Sequence, residues 1–220
     1  MIDIIIPTYG RPHAFAAIVD NIAAVTTEPH RITFVVESHD PDSIAAVEAL
    51  GLVPVINTRT KNYAGALNSG WLQSSADWLF TGADDLIWHV GWHDQIRTYA
   101  RLCTVLGTND LLNAAVALGF HSTHSLVHRS YLEEFGGVAD EGPGSFYPEC
   151  YDHNFCDTEF INTAKMRGRF RPCLDAVVEH LHVTTGKVEA DETYLRSIRN
   201  YDDDSRMYDM RIGVWSGISR

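Results

Sequence analysis

Asp77-Trp78-Leu79-Phe80-Thr81-Gly82-Ala83-Asp84-Asp85 opens as a short apolar strand over 77–80 and closes on two adjacent acids. Gly82 breaks the apolar run, so the strand delivers Asp84 and Asp85 to one edge of a sheet. Carboxylates placed there are hard oxygen ligands, suited to Mg²⁺ or Mn²⁺ bridged to substrate phosphates. The same pair would equally serve to cap the next turn. What surrounds it decides between the two.

Outward from this strand the chain alternates strand and helix patterns. Residues 2–6 form a β-branched apolar run ended by Pro7-Thr8, and residues 32–36 form a second that stops at Glu37-Ser38-His39-Asp40. Residues 52–56 read as a third strand. Between them, Pro12 opens a helix that places Phe15, Ile18, Val19 and Ile22 on one face, and residues 42–50 form a helix closed by Gly51. Residues 62–72 are a helix of small residues. Strands separated by helix-length segments predict an α/β fold on a mostly parallel central sheet flanked by helices. Ligands of such sheets sit at the carboxyl ends of the strands. That rule gathers Pro7-Thr8, 37–40 and Asp84-Asp85 around one crevice.

The second half is more mixed. Helices are expected over 93–102, 131–135, 152–167 and 190–207, strands over 125–128 and 176–181, and a mobile loop over 136–147. There is no repeat, low-complexity tract or linker, and 220 residues suit one domain, which at this size buries roughly 70% of its unfolded surface.

Hydrophobic residues make up 45% and charged residues 21% of the chain, which excludes a disordered protein. A net charge of −12 repels polyphosphate at long range and argues against generic nucleic-acid binding, though not against a nucleotide held through a metal. No apolar run is long enough for a bilayer, and Asp3 stands where a signal peptide would be basic. The four cysteines lack CxxC pairing, so reduced thiols, a cytoplasmic location and no membrane anchor are expected.

Other positions also carry chemistry. On a strand, His180 and His182 would share a face, with Leu181 opposite. Gly186-Lys187 reads either as a loop closing over a diphosphate or as a solvated turn. Asp157 and Glu159 fall on different faces of a helix, so one can enter a site as a general base while the other pairs with a cation. Asp202-Asp203-Asp204 sits in a charged helical stretch and reads as a solvated face. Cys150, His153 and Cys156 have the wrong spacing for a paired zinc knuckle and lack a fourth ligand. Trp88 and Trp92 are equally suited to the core and to stacking on a sugar.

Ile4-Ile5-Ile6-Pro7-Thr8-Tyr9-Gly10-Arg11-Pro12, then Lys61-Asn62-Tyr63-Ala64-Gly65-Ala66-Leu67-Asn68-Ser69-Gly70, then Gly82-Ala83-Asp84-Asp85 together resemble family 2 GT-A glycosyltransferases. Asp157-Thr158-Glu159 and Glu179-His180-Leu181-His182 complete the pattern over about residues 2–190. The resemblance implies a single GT-A domain over 1–220, with a nucleotide-sugar half (1–85), an acceptor half (86–190) and a helical tail (191–220). It implies a metal-dependent, inverting transfer from a nucleotide-diphosphate sugar, a UDP-sugar favoured, to an acceptor hydroxyl. Within it Pro7, Thr8 and Arg11 resemble the donor loop, Glu37 the acid that binds base or ribose, and Asn62 and Gly65 the helix start beneath the nucleotide. Asp84 matches the last acid of a DxD-like motif and leads as metal ligand with Asp85 beside it, while Gly82 replaces the first acid. Asp157 resembles the base, His180 or His182 the last metal ligand, and Lys187 a diphosphate contact. A silent nucleotide-sugar-binding module or a nucleotidyltransferase on a related fold would share much of this pattern.

Overall fold

The computed structural model describes residues 1–99 and 104–218. Strand β1 (Ile2–Pro7) is buried at all six positions and leads through a single 3-10 turn to helix α1 (Phe15–Val25). Strand β2 (His30–Val36), helix α2 (Pro41–Ala49), the two-residue strand β3 (Val55–Ile56), helix α3 (Tyr63–Gln73) and strand β4 (Trp78–Thr81) follow. Then come β5 (Leu86–Trp88), α4 (Gln95–Tyr99), β6 (Val105–Asn109), α5 (Ala114–Ala117), β7 (Ser125–His128) and α6 (Arg129–Glu134). Helix α7 (Cys156–Met166), strand β8 (Phe170–His180) and the long helix α8 (Glu192–Ser216) end the described chain.

The strands order as β3-β2-β1-β4-β7-β6-β8-β5. The β3, β2, β1 and β4 pairings are parallel, as is β6 with β8, while β7 lies antiparallel between β4 and β6 and β5 antiparallel to β8. Alternation along β1 sets the layers, because successive side chains leave opposite faces. Ile2, Ile4 and Ile6 join Phe15, Ile18, Ile22, Phe34, Phe80, Trp88 and Trp92 in one core. Ile5 joins Val35, Leu67, Leu79, Tyr131, Phe146, Tyr147 and Phe160 in the other. A sheet buried on both faces explains why its parallel strands read as unbroken apolar runs.

Two caps start helices at the sheet's carboxyl edge. Asp40 accepts from the Ser43 N–H at α2, and Asn62 accepts from the Gly65 N–H (2.7 Å) at α3. A Cβ on Gly65 would stand 2.1 Å from the Thr60 carbonyl oxygen, so the start of α3 closes only around glycine.

Several expectations need correction. Strands β5 and β6 add to those expected from the sequence pattern, and β8 begins at Phe170 rather than at 176. Pro172 and a register shift between Gly107 and Asn109 interrupt the alternation of β8 and hide its first half. Helix α4 covers only part of 93–102, whose last three residues, like Cys103, lie outside the described residues. Helix α7 starts at Cys156, not 152, and α8 runs to Ser216. The segment 136–147 is packed rather than loose: Val138, Phe146 and Tyr147 are fully buried in it. Trp88 and Trp92 are also core residues, edge-on to Phe80, so neither is available to stack on a sugar.

Candidate active site

A cavity of about 670 Å³ opens at the carboxyl ends of β1, β2 and β4, within the range that small-ligand sites occupy. Pro7, Thr8, Tyr9 and Arg11 line it from the loop after β1, and Glu37 and His39 from the end of β2. Asn62 comes from the start of α3, Asp84 and Asp85 from the end of β4, His180 from the end of β8 and Asp157 from the first turn of α7. Tyr194, Arg196 and Tyr201 of α8 form a further wall.

The two adjacent acids have different surroundings. Asp84 is fully engaged: its Oδ2 accepts from Thr8 Oγ1 (2.6 Å) and its Oδ1 from Arg11 Nη1 (2.6 Å). Burial raises its pKa above the carboxylate norm, with the Asp85 charge adding to the effect and Arg11 opposing it. Asp85 lies 3.4 Å from His180 Nε2 and 3.6 Å from Arg11 through Oδ2, while its buried Oδ1 has no hydrogen-bond partner. Burial pushes the Asp85 pKa up, yet contact with His180 outweighs it and holds the group below the usual range. His180 moves the other way: burial lowers it, and Asp85 more than offsets that.

Arg11 ties the loop after β1 to helix α8. It binds Asp84 on one side and Asp191, the cap of α8, on the other. Burial would weaken its proton, but these carboxylates overcome that and leave it firmly charged. Glu37, also in the cavity lining, accepts from Asn57 Nδ2 (2.7 Å).

Asp157 and Glu159 separate as their spacing requires. Asp157 lines the cavity, its Oδ2 3.1 Å from His121 Nε2 and its Oδ1 accepting from the Thr158 N–H (2.7 Å). Glu159 is wholly buried on the other side of α7, where it accepts from the Tyr151 hydroxyl (2.6 Å) and from Arg211 (2.7 Å).

Other expected residues are placed differently. His182 lies past the end of β8, caps the next turn and contacts Thr184 (2.8 Å) and the Tyr194 ring, so of the two histidines His180 stands against Asp85. Lys187 is paired with Glu179 and stands outside the cavity lining, as does Gly65. Asp204 is not a solvated acid: it is 3% exposed and accepts from the consecutive N–H groups of Asp152, His153 and Asn154. That contact shapes the turn into α7.

His121, Thr123 and His124 were missed, although all three line the cavity. His121-Ser122-Thr123-His124 directly precedes a strand that the sequence does reveal, and two histidines at that edge were the available signal. His124 donates from Nδ1 to the Thr81 carbonyl (2.6 Å), leaving Nε2 buried and without a partner. Burial first, then the nearby His180, push it down to about 4. Among the described residues no three His, Cys, Asp or Glu side chains are grouped to hold a metal ion, so Asp85 and His180 form a two-residue set. Nor is any described helix long and apolar enough to cross a membrane.

The fold is that of GT-A glycosyltransferases. The mannosyltransferase PcManGT from Pyrobaculum calidifontis, solved with GDP-Man and Mn²⁺, matches with TM-score 0.63 and 17% identity over 82% of this chain and 56% of its own. Glucosyl-3-phosphoglycerate synthase from Mycobacterium tuberculosis, solved with Mn²⁺, UDP-Glc and phosphoglyceric acid, matches with TM-score 0.65 and 11% identity over 100% of this chain and 81% of its own. TarS from S. aureus, residues 1–349, matches with TM-score 0.60 and 14% identity over 80% and 59%. The chain thus spans little more than half the length of the first and third. At such identities the likeness concerns the fold. Residues 3–102, the stretch that carries β1 to β5, in addition match the family described as Glycosyl transferase family 2. A comparison with curated protein sequences finds no match.

Proposed function

We propose that the cavity binds a nucleotide-diphosphate sugar, a UDP-sugar before others, and that the protein transfers the sugar to an acceptor hydroxyl with inversion. The observation that carries this reading is the unpartnered, buried Oδ1 of Asp85 beside His180, at the end of the central sheet and in one cavity with Asp157. An orphaned carboxylate oxygen costs about 1–3 kcal/mol or more, and a divalent cation removes that cost. The family 2 match and the metal and sugar nucleotides in the related structures support the same reading. Asp85 and His180 would hold Mn²⁺ or Mg²⁺ together with donor phosphates, and Asp84 would steady Arg11 and Thr8 behind them. The metal supplies charge neutralisation for the departing diphosphate.

The chain's own residues do the remaining work. Glu37, in the cavity lining, would meet the ribose or base, and Pro7 and Thr8 would line the donor loop. Arg11, once released from Asp191, would be a cation within the cavity for the diphosphate. The acceptor enters on the side of Asp157 and His121, where this acid–base pair takes the hydroxyl proton as the oxygen attacks the anomeric carbon. Residues 1–85 would serve as the donor half, 86–190 as the acceptor half and 191–220 as a C-terminal helical tail, from which Tyr194, Arg196 and Tyr201 wall the cavity.

Mn²⁺-dependent release of nucleoside diphosphate from a sugar nucleotide, with water standing in as acceptor, tests this reading. Release of pyrophosphate from a nucleoside triphosphate supplied with a sugar phosphate would instead identify a nucleotidyltransferase, and donor binding with no turnover a silent binding module.

A further inference from the structure

His121 and Asp157 form a side-chain pair in the wall of the cavity. His121 sits in the segment between α5 and β7, with its side chain 12% exposed, and Asp157 is 20% exposed. Both line the cavity. Asp157 Oδ1 holds the Thr158 N–H, and Oδ2 lies 3.1 Å from His121 Nε2. It also stands in the first turn of α7, where the exposed N–H ends of the helix favour an anion. An ionised carboxylate can only accept, so the 3.1 Å contact requires the proton on His121 Nε2. Nδ1 then carries the lone pair, and it has no hydrogen-bond partner among the described residues.

The geometry points to His121 as the catalytic base, with Nδ1 taking the acceptor proton and Asp157 fixing the ring and its tautomer. This inference rests on the glycosyl-transfer reading and changes which residue moves the proton. The acceptor O–H bond breaks with its proton going to Nδ1, and the oxygen forms a bond to the anomeric carbon. The bond from that carbon to the diphosphate breaks, its electron pair leaving with the nucleotide. Asp157 stays ionised and balances the imidazolium that results. Burial alone would raise the Asp157 pKa, but the His121 contact and the Thr158 N–H hold it below the carboxylate norm, which suits an anchor more than a proton acceptor.

The test uses the full chain with Mn²⁺ and a sugar nucleotide, following donor binding by calorimetry and donor hydrolysis by nucleotide release. His121→Ala is expected to bind donor within about twofold of wild type and to lose roughly 10²–10⁴-fold in hydrolysis. Added imidazole restores part of that rate, which a merely structural histidine would not allow. In ¹⁵N-labelled wild type without ligand, His121 is expected to carry its proton on Nε2. A His121→Ala protein that hydrolyses donor at the wild-type rate, or a proton on Nδ1, overturns the assignment and returns the base to Asp157. Absence of donor binding by wild type is a different result. It removes the glycosyl-transfer reading and this inference with it.

Discussion

His124 is a buried imidazole that folding keeps neutral. Its ring donates to Thr81 and is pushed down to about 4, mainly by burial and then by His180. An imidazole in the unfolded chain titrates near 6.5, so the unfolded state takes up the proton first as pH falls. The stability this group contributes is therefore complete above about 6.5 and is lost between there and about 4. At pH 5 the loss amounts to about 2 kcal/mol from this group alone. Urea unfolding of metal-free protein at pH 7 and pH 5 should show it, and His124→Asn, which keeps an N–H for Thr81, should lose that share of the pH dependence. Equal slopes in the two proteins would mean that His124 is not the group responsible. At this scale Asp84, Asp85, Asp157 and His180 were visible in the sequence because each follows or opens a regular element. His121 and His124 were not, because they lie in an irregular stretch whose side-chain directions no periodicity fixes.

Helix α8 is the element whose role the sequence concealed most. Its three consecutive acids suggest a solvated face, yet Tyr201, Asp204, Tyr208, Arg211 and Trp215 recur at spacings of three and four and form one stripe. Phe155 stacks on Tyr208 and leans on Tyr201, in a left-handed conformation (φ 66°) that few bulky residues adopt. Asp204 holds the three preceding N–H groups, so α8 sets the turn that aims Asp157 into the cavity. Asp204→Asn is expected to destabilise the protein by about 1–3 kcal/mol and to slow donor hydrolysis, because all three N–H donors lose a charged partner and at least one loses its acceptor oxygen. Asp203→Asn, at an exposed position, should stay within about 0.5 kcal/mol of wild type in the same urea titration. Gly65→Ala tests the other end of the site. Its Cβ would collide with the Thr60 carbonyl, and a loss of about 1–3 kcal/mol in unfolding free energy is expected. Wild-type stability in that variant would mean that the loop before α3 yields more easily than its packing implies.

At the scale of the whole molecule, one sheet buried on both faces brings three loops to a common edge, and α8 spans the opening. Arg11 grips the helix at Asp191, and Arg211 joins it to the buried Glu159 further along. The parallel half of this design was legible because doubly buried strands are continuous apolar runs. The other half was not, because β5 and β6 are short and β8 changes partner along its length. Arg211→Met would leave Glu159 buried with only the Tyr151 hydroxyl, a loss of about 3–5 kcal/mol that thermal or urea unfolding can read. In the proposed function a divalent cation offsets the net charge of −12, which repels a free diphosphate. The most direct test of that claim is calorimetry of UDP-, GDP-, CMP- and dTDP-sugars with and without Mn²⁺, on wild type, Asp84→Ala and Asp85→Asn. The account predicts that one donor binds only with Mn²⁺ and that both substitutions abolish the binding. Failure of every sugar nucleotide to bind, or metal-independent binding untouched by either substitution, would contradict it.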